Sequence, residues 1–161
     1  MGEKAMVLFS GGIDSTTCLA LAIEKYGKEN VIPLSVFYGQ KHEKEIEAAS
    51  LALSLDCQVI YYGAHMDDAA GNAYPDCSQA FYDSMNQAVW EGSGKALRIE
   101  APFINQNKAQ IVARGLELKA PYQFTWSCYE GKERPCGVCG TCIDRRKAFE
   151  ANGIKDPALG E

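Results

Sequence analysis

The sequence predicts an α/β protein: a doubly wound, mainly parallel sheet with a small cysteine-rich lobe at its C-terminal end. Three observations predict it. A strand, a helix and a second strand follow one another by Phe37, which is the βαβ unit of a parallel sheet with a right-handed crossover. Ser10-Gly11-Gly12 joins the first strand to that helix, in the place where open α/β sheets bind ligands. Four of the seven cysteines crowd between Cys128 and Cys142.

Each element follows from its pattern. Ala5 to Phe9 is a short apolar run bounded by glycines, hence a buried strand. From Ser15 onward Leu19, Ala22, Ile23 and Tyr26 recur at helical spacing, and Gly27 is placed to end the helix. Val31 to Phe37 is β-branched, with Pro33 early in the run as an edge strand allows. Glu43 to Leu55 reads as a helix, charged through Glu47 and apolar from Leu51. Gln58 to Tyr62 is the next strand, and a loop is expected from Met66 to Pro75. Asp76 is the expected N-cap of a helix whose Phe81, Met85, Ala88 and Val89 share one face. Leu97, Ile99 and Ala101 alternate with Arg98 and Glu100 as in a half-solvated strand. A helix is expected over Lys108 to Leu118, after which Pro121 opens the cysteine-bearing tail. No internal repeat or low-complexity segment is visible.

Composition sets outer bounds. The 161 residues are 47% hydrophobic and 23% charged, which excludes wholesale disorder and fits one compact domain with a small appendage. Sixteen Lys+Arg against 21 Asp+Glu leave a net charge of −5, so no global basic field points to nucleic acid. No apolar run approaches the ~20 residues of a membrane span. The first strand begins after Lys4, which reads as no signal peptide, so a cytoplasmic protein is expected.

Ser10-Gly11-Gly12-Ile13-Asp14-Ser15 has the makings of an anion site. Two glycines let backbone amides approach an oxyanion, the first turn of a helix supplies unpaired N–H groups and a positive dipole end, and Ser10, Ser15 and Thr16 add hydroxyls. It is neither a Walker A loop nor a three-glycine dinucleotide turn. Its bland alternative is a tight turn with Ser or Asp as the cap. Cys128, Cys136, Cys139 and Cys142 are separated by seven, two and two residues. Four thiolates suit a closed tetrahedral Zn²⁺ site of structural type. An iron–sulfur cluster is the rival, although the ferredoxin run needs a further Cys and a Pro that are absent here. Cys18 and Cys57 read as small core residues, and Cys77 is assigned no role.

Directly after a first strand, this hexapeptide resembles the SGGxDS signature of the PP-loop ATPases, which have a Rossmann-like fold of the adenine nucleotide alpha hydrolase type. Further segments narrow the likeness. Tyr61 to His65 running on to Asp67 to Cys77, then Ala101 to Asn105, and Thr125 to Tyr129 through Cys142-Ile143-Asp144-Arg145, closely resemble the 7-cyano-7-deazaguanine synthase (QueC) family of queuosine biosynthesis, over nearly the whole chain. The resemblance implies a PP-loop ATP-binding domain over residues 1–120 and a zinc lobe over 121–161. It implies an ATP-dependent ligase that turns 7-carboxy-7-deazaguanine and ammonia into the nitrile preQ0, with small molecules as partners, no direct nucleic acid or membrane, and a homodimer as the assembly. Its rivals are a PP-loop enzyme modifying tRNA, a QueC-like ligase that passes the activated deazaguanine to another acceptor, and a nucleotide-sensing or zinc-ribbon module without turnover.

Carried over residue by residue, Leu8, Phe9, Ser10, Gly11, Gly12, Ile13, Asp14, Ser15, Thr16, Thr17 and Cys18 are the expected ATP segment. Asp14 is a candidate Mg²⁺ or loop-organising carboxylate, and Lys108, in the family's Asn-x-x-Lys-x-x-Ile-Val pattern, is the candidate to reach phosphate. Asp67, Asp68 and Asp76 are the expected acceptors for the deazaguanine N–H groups, and Tyr74 is expected to stack on the base. His65 is open between a general base and a loop organiser, while His42 is expected to be solvated. The chain also departs from the family. Members carry a longer stretch between the charged and apolar halves of the Glu43–Leu55 helix, supplying another strand, a mobile loop and a Pro-containing turn. An internal deletion would cost the sheet a strand and is expected to cost the activity with it. The reading preferred from the sequence is that a flexible segment is left out between joined residues, so that two neighbours within Glu47 to Ala52 lie much farther apart than the ~3.8 Å of a trans peptide.

Overall fold

The computed structural model describes residues 2–35, 44–69, 74–131 and 133–159. Its strands are β1 (Ala5–Leu8), β2 (Val31–Leu34), β3 (Val59–Tyr61) and β4 (Arg98–Glu100), and its helices are α1 (Ile13–Tyr26), α2 (Lys44–Ser54), α3 (Met66–Ala69), α4 (Gln79–Gly92), α5 (Lys108–Glu117) and α6 (Gly140–Ala151). The four strands form one sheet in the order β2-β1-β3-β4, and every pairing is parallel. The expected α/β architecture is therefore present.

Register explains how helices cover both faces. Ile32, Met6, Ile60 and Ile99 stand opposite one another across the four strands. All four point into the layer containing Ala48 and Ala52 of α2 and Val89 of α4. The alternate residues Ala5, Val7, Val31, Val59 and Tyr61 face the other layer, with Cys18 and Ala22 of α1, Ile111 and Val112 of α5, and Ala148 and Phe149 of α6. A period of two thus divides one set of strands between two cores, which is why these strands read as continuous apolar runs.

Several boundaries differ from the sequence expectation. Gly12, not a serine or aspartate, occupies the N-cap of α1. The expected loop after β3 begins with the short helix α3, and Asp76 lies in a 3-10 turn, leaving Ser78 to cap α4 by accepting from the Phe81 N–H. Ala88 is exposed, and Tyr82 takes its expected place beside Met85 against the core. Phe37, His42 and Glu43 lie outside the described residues. Glu47 to Ala52 sit inside one unbroken helix, so the wide spacing expected there is absent. Ala48 and Ala52, both fully buried, carry a single i, i+4 stripe across the polar-to-apolar change.

Pro33 sits at the sheet margin. The Phe9 N–H donates to the Leu34 carbonyl, which turns Leu34 toward β1 and the preceding proline outward, where no ladder bond is lost.

Candidate active site

The strand order places β3 beside β1 on the side opposite β2. The carboxyl ends of β1 and β3 therefore flank the crevice where an open α/β sheet binds its ligand. The β1 loop is tightly folded. Gly11 has φ +81°, a backbone region that favours glycine. The Ser15 hydroxyl lies 3.2 Å from the Ser10 N–H and 3.1 Å from the Ser10 hydroxyl. Thr16 is nearly buried, and its hydroxyl has no hydrogen-bond partner among the described residues. Thr17 and Cys18 turn inward instead. The Thr17 hydroxyl meets Tyr122 Oη at 2.7 Å, and burial pushes the Cys18 thiol pKa well up.

The loop after β3 comes down on this turn. A Cβ at Gly63 would stand 3.4 Å from the backbone of Asp14 and Ser15, which puts the two loops in van der Waals reach of one another. Two residues later the fully buried His65 places Nε2 3.0 Å from Asp68 Oδ2 and 3.6 Å from Asp14 Oδ2. From α5, Lys108 Nζ donates to Asp14 Oδ2 at 2.6 Å. Three segments distant in sequence thus converge on one carboxylate at the N-terminal turn of α1.

Electrostatics fixes the protonation states. Burial opposes the Asp14 charge, but His65 and Lys108 outweigh it and hold the carboxyl below its ordinary range. Burial likewise opposes charge on His65, yet the Asp14 and Asp68 carboxylates outweigh it and raise the imidazole to about 9. Asp14 is therefore a carboxylate and His65 an imidazolium near neutral pH. Asp14 Oδ1 is buried without a hydrogen-bond partner among the described residues, and Asp14, His65 and Asp68 present ligand atoms within 4.8 Å of one another. With His65 protonated, the carboxylate oxygens, the unpartnered Asp14 Oδ1 first, are the atoms able to take a divalent cation beside the loop.

The other expected substrate residues are spread out. Asp67 accepts the Lys108 backbone N–H at 2.7 Å, reinforcing an α5 terminus already closed by the reciprocal Asn107–Gln110 capping box. Asp76 contributes its backbone carbonyl to Tyr62 Oη at 3.0 Å. Tyr74 is partly exposed. Tyr129, to which the sequence reading gave no role, hydrogen-bonds Tyr74, and this bond first, then burial, pushes its phenol up to about 12. Residues 70–73 of the same loop lie outside the described set.

The four cysteines gather as expected. Their sulfurs lie within 4.8 Å of one another, with Cys128 and Cys139 at 4.0 Å, against the ~3.8 Å edge of a tetrahedron with Zn–S bonds of about 2.3 Å. Backbone N–H groups already point at sulfur: Gly131 and Cys136 donate to Cys128 at 3.0 and 3.3 Å, and Cys139 to Cys136 at 3.3 Å. The Cys136 N–H first, and Gly131 with it, hold Cys128 below its ordinary pKa. The Thr141 hydroxyl and then the Cys142 N–H bring Cys139 to about 6, while burial and the neighbouring thiols push Cys142 up to about 12. Four thiolates this close are stable together only around a cation, and the donor set fits zinc.

A strap between the two centres was also missed by sequence reading. The Trp126 N–H donates to the Gly11 carbonyl at 3.0 Å, and its indole N–H to the Cys128 carbonyl at 2.7 Å. The cysteine knuckle is thereby two residues from a direct hold on the glycine loop.

The family model described as "Queuosine biosynthesis protein QueC" matches residues 4–54 and 47–153. A protein of Archaeoglobus fulgidus named 7-cyano-7-deazaguanine synthase is 34% identical over 220 aligned positions, covering 98% of this chain and 90% of the relative. A protein of the same name from Caldicellulosiruptor bescii is 32% identical over 215 positions, covering 96% of each. The 7-cyano-7-deazaguanine synthase 1 of Colwellia psychrerythraea is 32% identical, covering 98% of each. The two family-model matches overlap at residues 47–54, inside α2, and the alignments are longer than the 161 residues of the chain.

Proposed function

The chain belongs to the QueC family of queuosine biosynthesis proteins, and on that premise we propose that it uses ATP to convert 7-carboxy-7-deazaguanine and ammonia into 7-cyano-7-deazaguanine. The observation that carries the reading is the meeting of Asp14, His65 and Lys108 at the glycine turn. A cation on the α5 terminus and unpaired amides on the α1 terminus then face the space where pyrophosphate would leave.

The chemistry needs two activations. A carboxylate oxygen attacks the α-phosphorus of ATP, and pyrophosphate departs. Ammonia adds to the acyl carbon, AMP leaves with its oxygen, a proton is lost, and the amide forms. The amide oxygen then attacks a second ATP, again releasing pyrophosphate. Loss of the nitrogen protons and expulsion of AMP gives the nitrile. No step requires a covalent enzyme intermediate, so this chain contributes position and charge.

Ser10 to Ser15 would cradle phosphate oxygens, Lys108 would offset the growing pyrophosphate charge, and His65⁺ would keep Asp14 oriented. Asp14, with its unpartnered Oδ1, would hold Mg²⁺, whose charge screens the triphosphate. Asp67, Asp68 and Asp76 would receive the base N–H groups. Tyr74 would stack on the base, with Tyr129 beside it. Cys128, Cys136, Cys139 and Cys142 would hold structural zinc, which fixes the knuckle. The reading divides the chain into a nucleotide domain over 1–120 and the zinc lobe over 121–161. It takes the homodimer as the working assembly and the cytoplasm as its place. No helix among the described residues is long and apolar enough to cross a membrane.

The test incubates the purified chain with Mg-ATP, 7-carboxy-7-deazaguanine and ammonium and follows products by mass spectrometry. Nitrile together with AMP and pyrophosphate is expected. ADP in place of AMP, or no product although ATP binds, would overturn the reading.

A further inference from the structure

We propose that Arg145 is a positioning residue for the glycine loop, acting through the strap from Tyr122 to Ser127; the proposal rests on the nucleotide-binding reading above. Arg145 projects from α6, and its side chain is only 6% exposed. All five guanidinium N–H donors find acceptors. Two go to the carboxylate of Asp156, itself 2% exposed, beyond the end of α6. The others reach the Tyr122 carbonyl at 3.4 Å, the Thr125 carbonyl at 3.4 Å and the Ser127 hydroxyl at 3.3 Å.

These three acceptors bracket Trp126. Its N–H holds the Gly11 carbonyl, and its own carbonyl lies 3.7 Å from where a Cβ on Gly12 would be. The Tyr122 hydroxyl reaches Thr17 on α1, so the strap touches the loop and the helix that follows it. A planar fork is required, because its donors must serve a carboxylate on one side and the strap on the other. Lysine keeps the charge but radiates three donors from one point and cannot span both. Arg145 makes none of these bonds to the loop itself. Its influence on nucleotide must pass through the strap, as a coupling between α6 and the β1–α1 turn.

The test measures equilibrium binding of the non-hydrolysable analogue α,β-methylene-ATP with Mg²⁺, zinc content by elemental analysis, and steady-state kinetics. Arg145→Lys is expected to raise the dissociation constant about fivefold or more. The KM for ATP should rise in parallel, while kcat at saturating ATP stays within about twofold and zinc content is unchanged. An unchanged dissociation constant in the folded variant overturns the proposal. Zinc lost in step with affinity overturns it too, because the effect would then run through the cysteine knuckle. If Arg145→Lys does not fold, Ser127→Ala decides. Weakening of about twofold or more supports the proposal, and none overturns it. Failure of the unaltered chain to bind the analogue refutes the nucleotide reading itself, an outcome distinct from tight binding that the variants do not disturb.

Discussion

Replacing Gly115 by alanine tests the packing that joins α5, α1 and the strap. An alanine Cβ would lie 1.7 Å from the Tyr122 hydroxyl oxygen, 2.5 Å from its Cζ and 3.0 Å from Thr17 Oγ1. No rotamer change of a flexible tip relieves this. Tyr122 is 1% exposed, packed edge-on against Phe149 with ring centroids 5.4 Å apart, and hydrogen-bonded to Thr17 at 2.7 Å. Helix propensity alone favours alanine by ~1 kcal/mol. Overpacking costs about 2 kcal/mol, and displacing the buried hydroxyl from its partner costs about 1–2 kcal/mol. The balance is a destabilisation of about 2–3 kcal/mol, or a Tm lower by roughly 4–12 °C at this chain length. Calorimetry with urea unfolding reads it. A raised Tm would show that propensity wins and that the Tyr122 contact yields freely, refuting the reasoning. Because the Tyr122 carbonyl is one of the Arg145 acceptors, weaker binding of α,β-methylene-ATP is expected alongside the stability loss.

Lys108→Met should lower nitrile formation by about 10²–10³-fold, chiefly in kcat, as loss of one preorganised cation facing developing charge; rate assays across ATP concentration check this. Gly131→Ala would put a Cβ 2.2 Å from the Arg134 carbonyl and 3.1 Å from Cys128 Sγ. Opening that turn removes an N–H···S bond, so zinc transfer to a chromogenic chelator should quicken by about tenfold or more. For His65, the folded pKa of about 9 lies above the ordinary 6.5. Its contribution to stability is therefore complete below pH 6.5 and lost as pH rises through 9. In buffer free of ATP and Mg²⁺, the stability difference between the parent chain and His65→Gln should shrink by on the order of 2–3 kcal/mol across that window; a difference that is flat with pH would refute the charged imidazole.

Much of this arrangement was legible in the sequence because its signals are local. The βαβ alternation, the two glycines after β1 and the spacing of Cys136, Cys139 and Cys142 are each short patterns with one dominant physical reading. Lys108 belongs with them, singled out by the family pattern and brought by the fold to Asp14. The misses depend on distance along the chain. His65 could not be assigned because its partner Asp14 lies on the neighbouring strand's loop, and only the strand order brings them together. Trp126 lies in a segment that carries the family likeness but received no role, since what matters is its backbone N–H and every residue but proline has one. Asp76 looked like a cap by residue type, but a proline-led 3-10 turn intervened and passed the task to Ser78. The spacing expected between Glu47 and Ala52 failed because Ala48 and Ala52 continue one stripe, so the two half-helices join in phase.

Among the described residues, β2 is one rim of the sheet. Such a rim is a template for fibrous stacking, since its backbone groups seek partners. Here the strand is four residues long, and Ile32 and Leu34 spend their N–H groups on β1. Of the outward pair, Pro33 has no N–H, leaving Val31 as the single outward donor within β2. Strand-to-strand propagation from that side is therefore starved of donors.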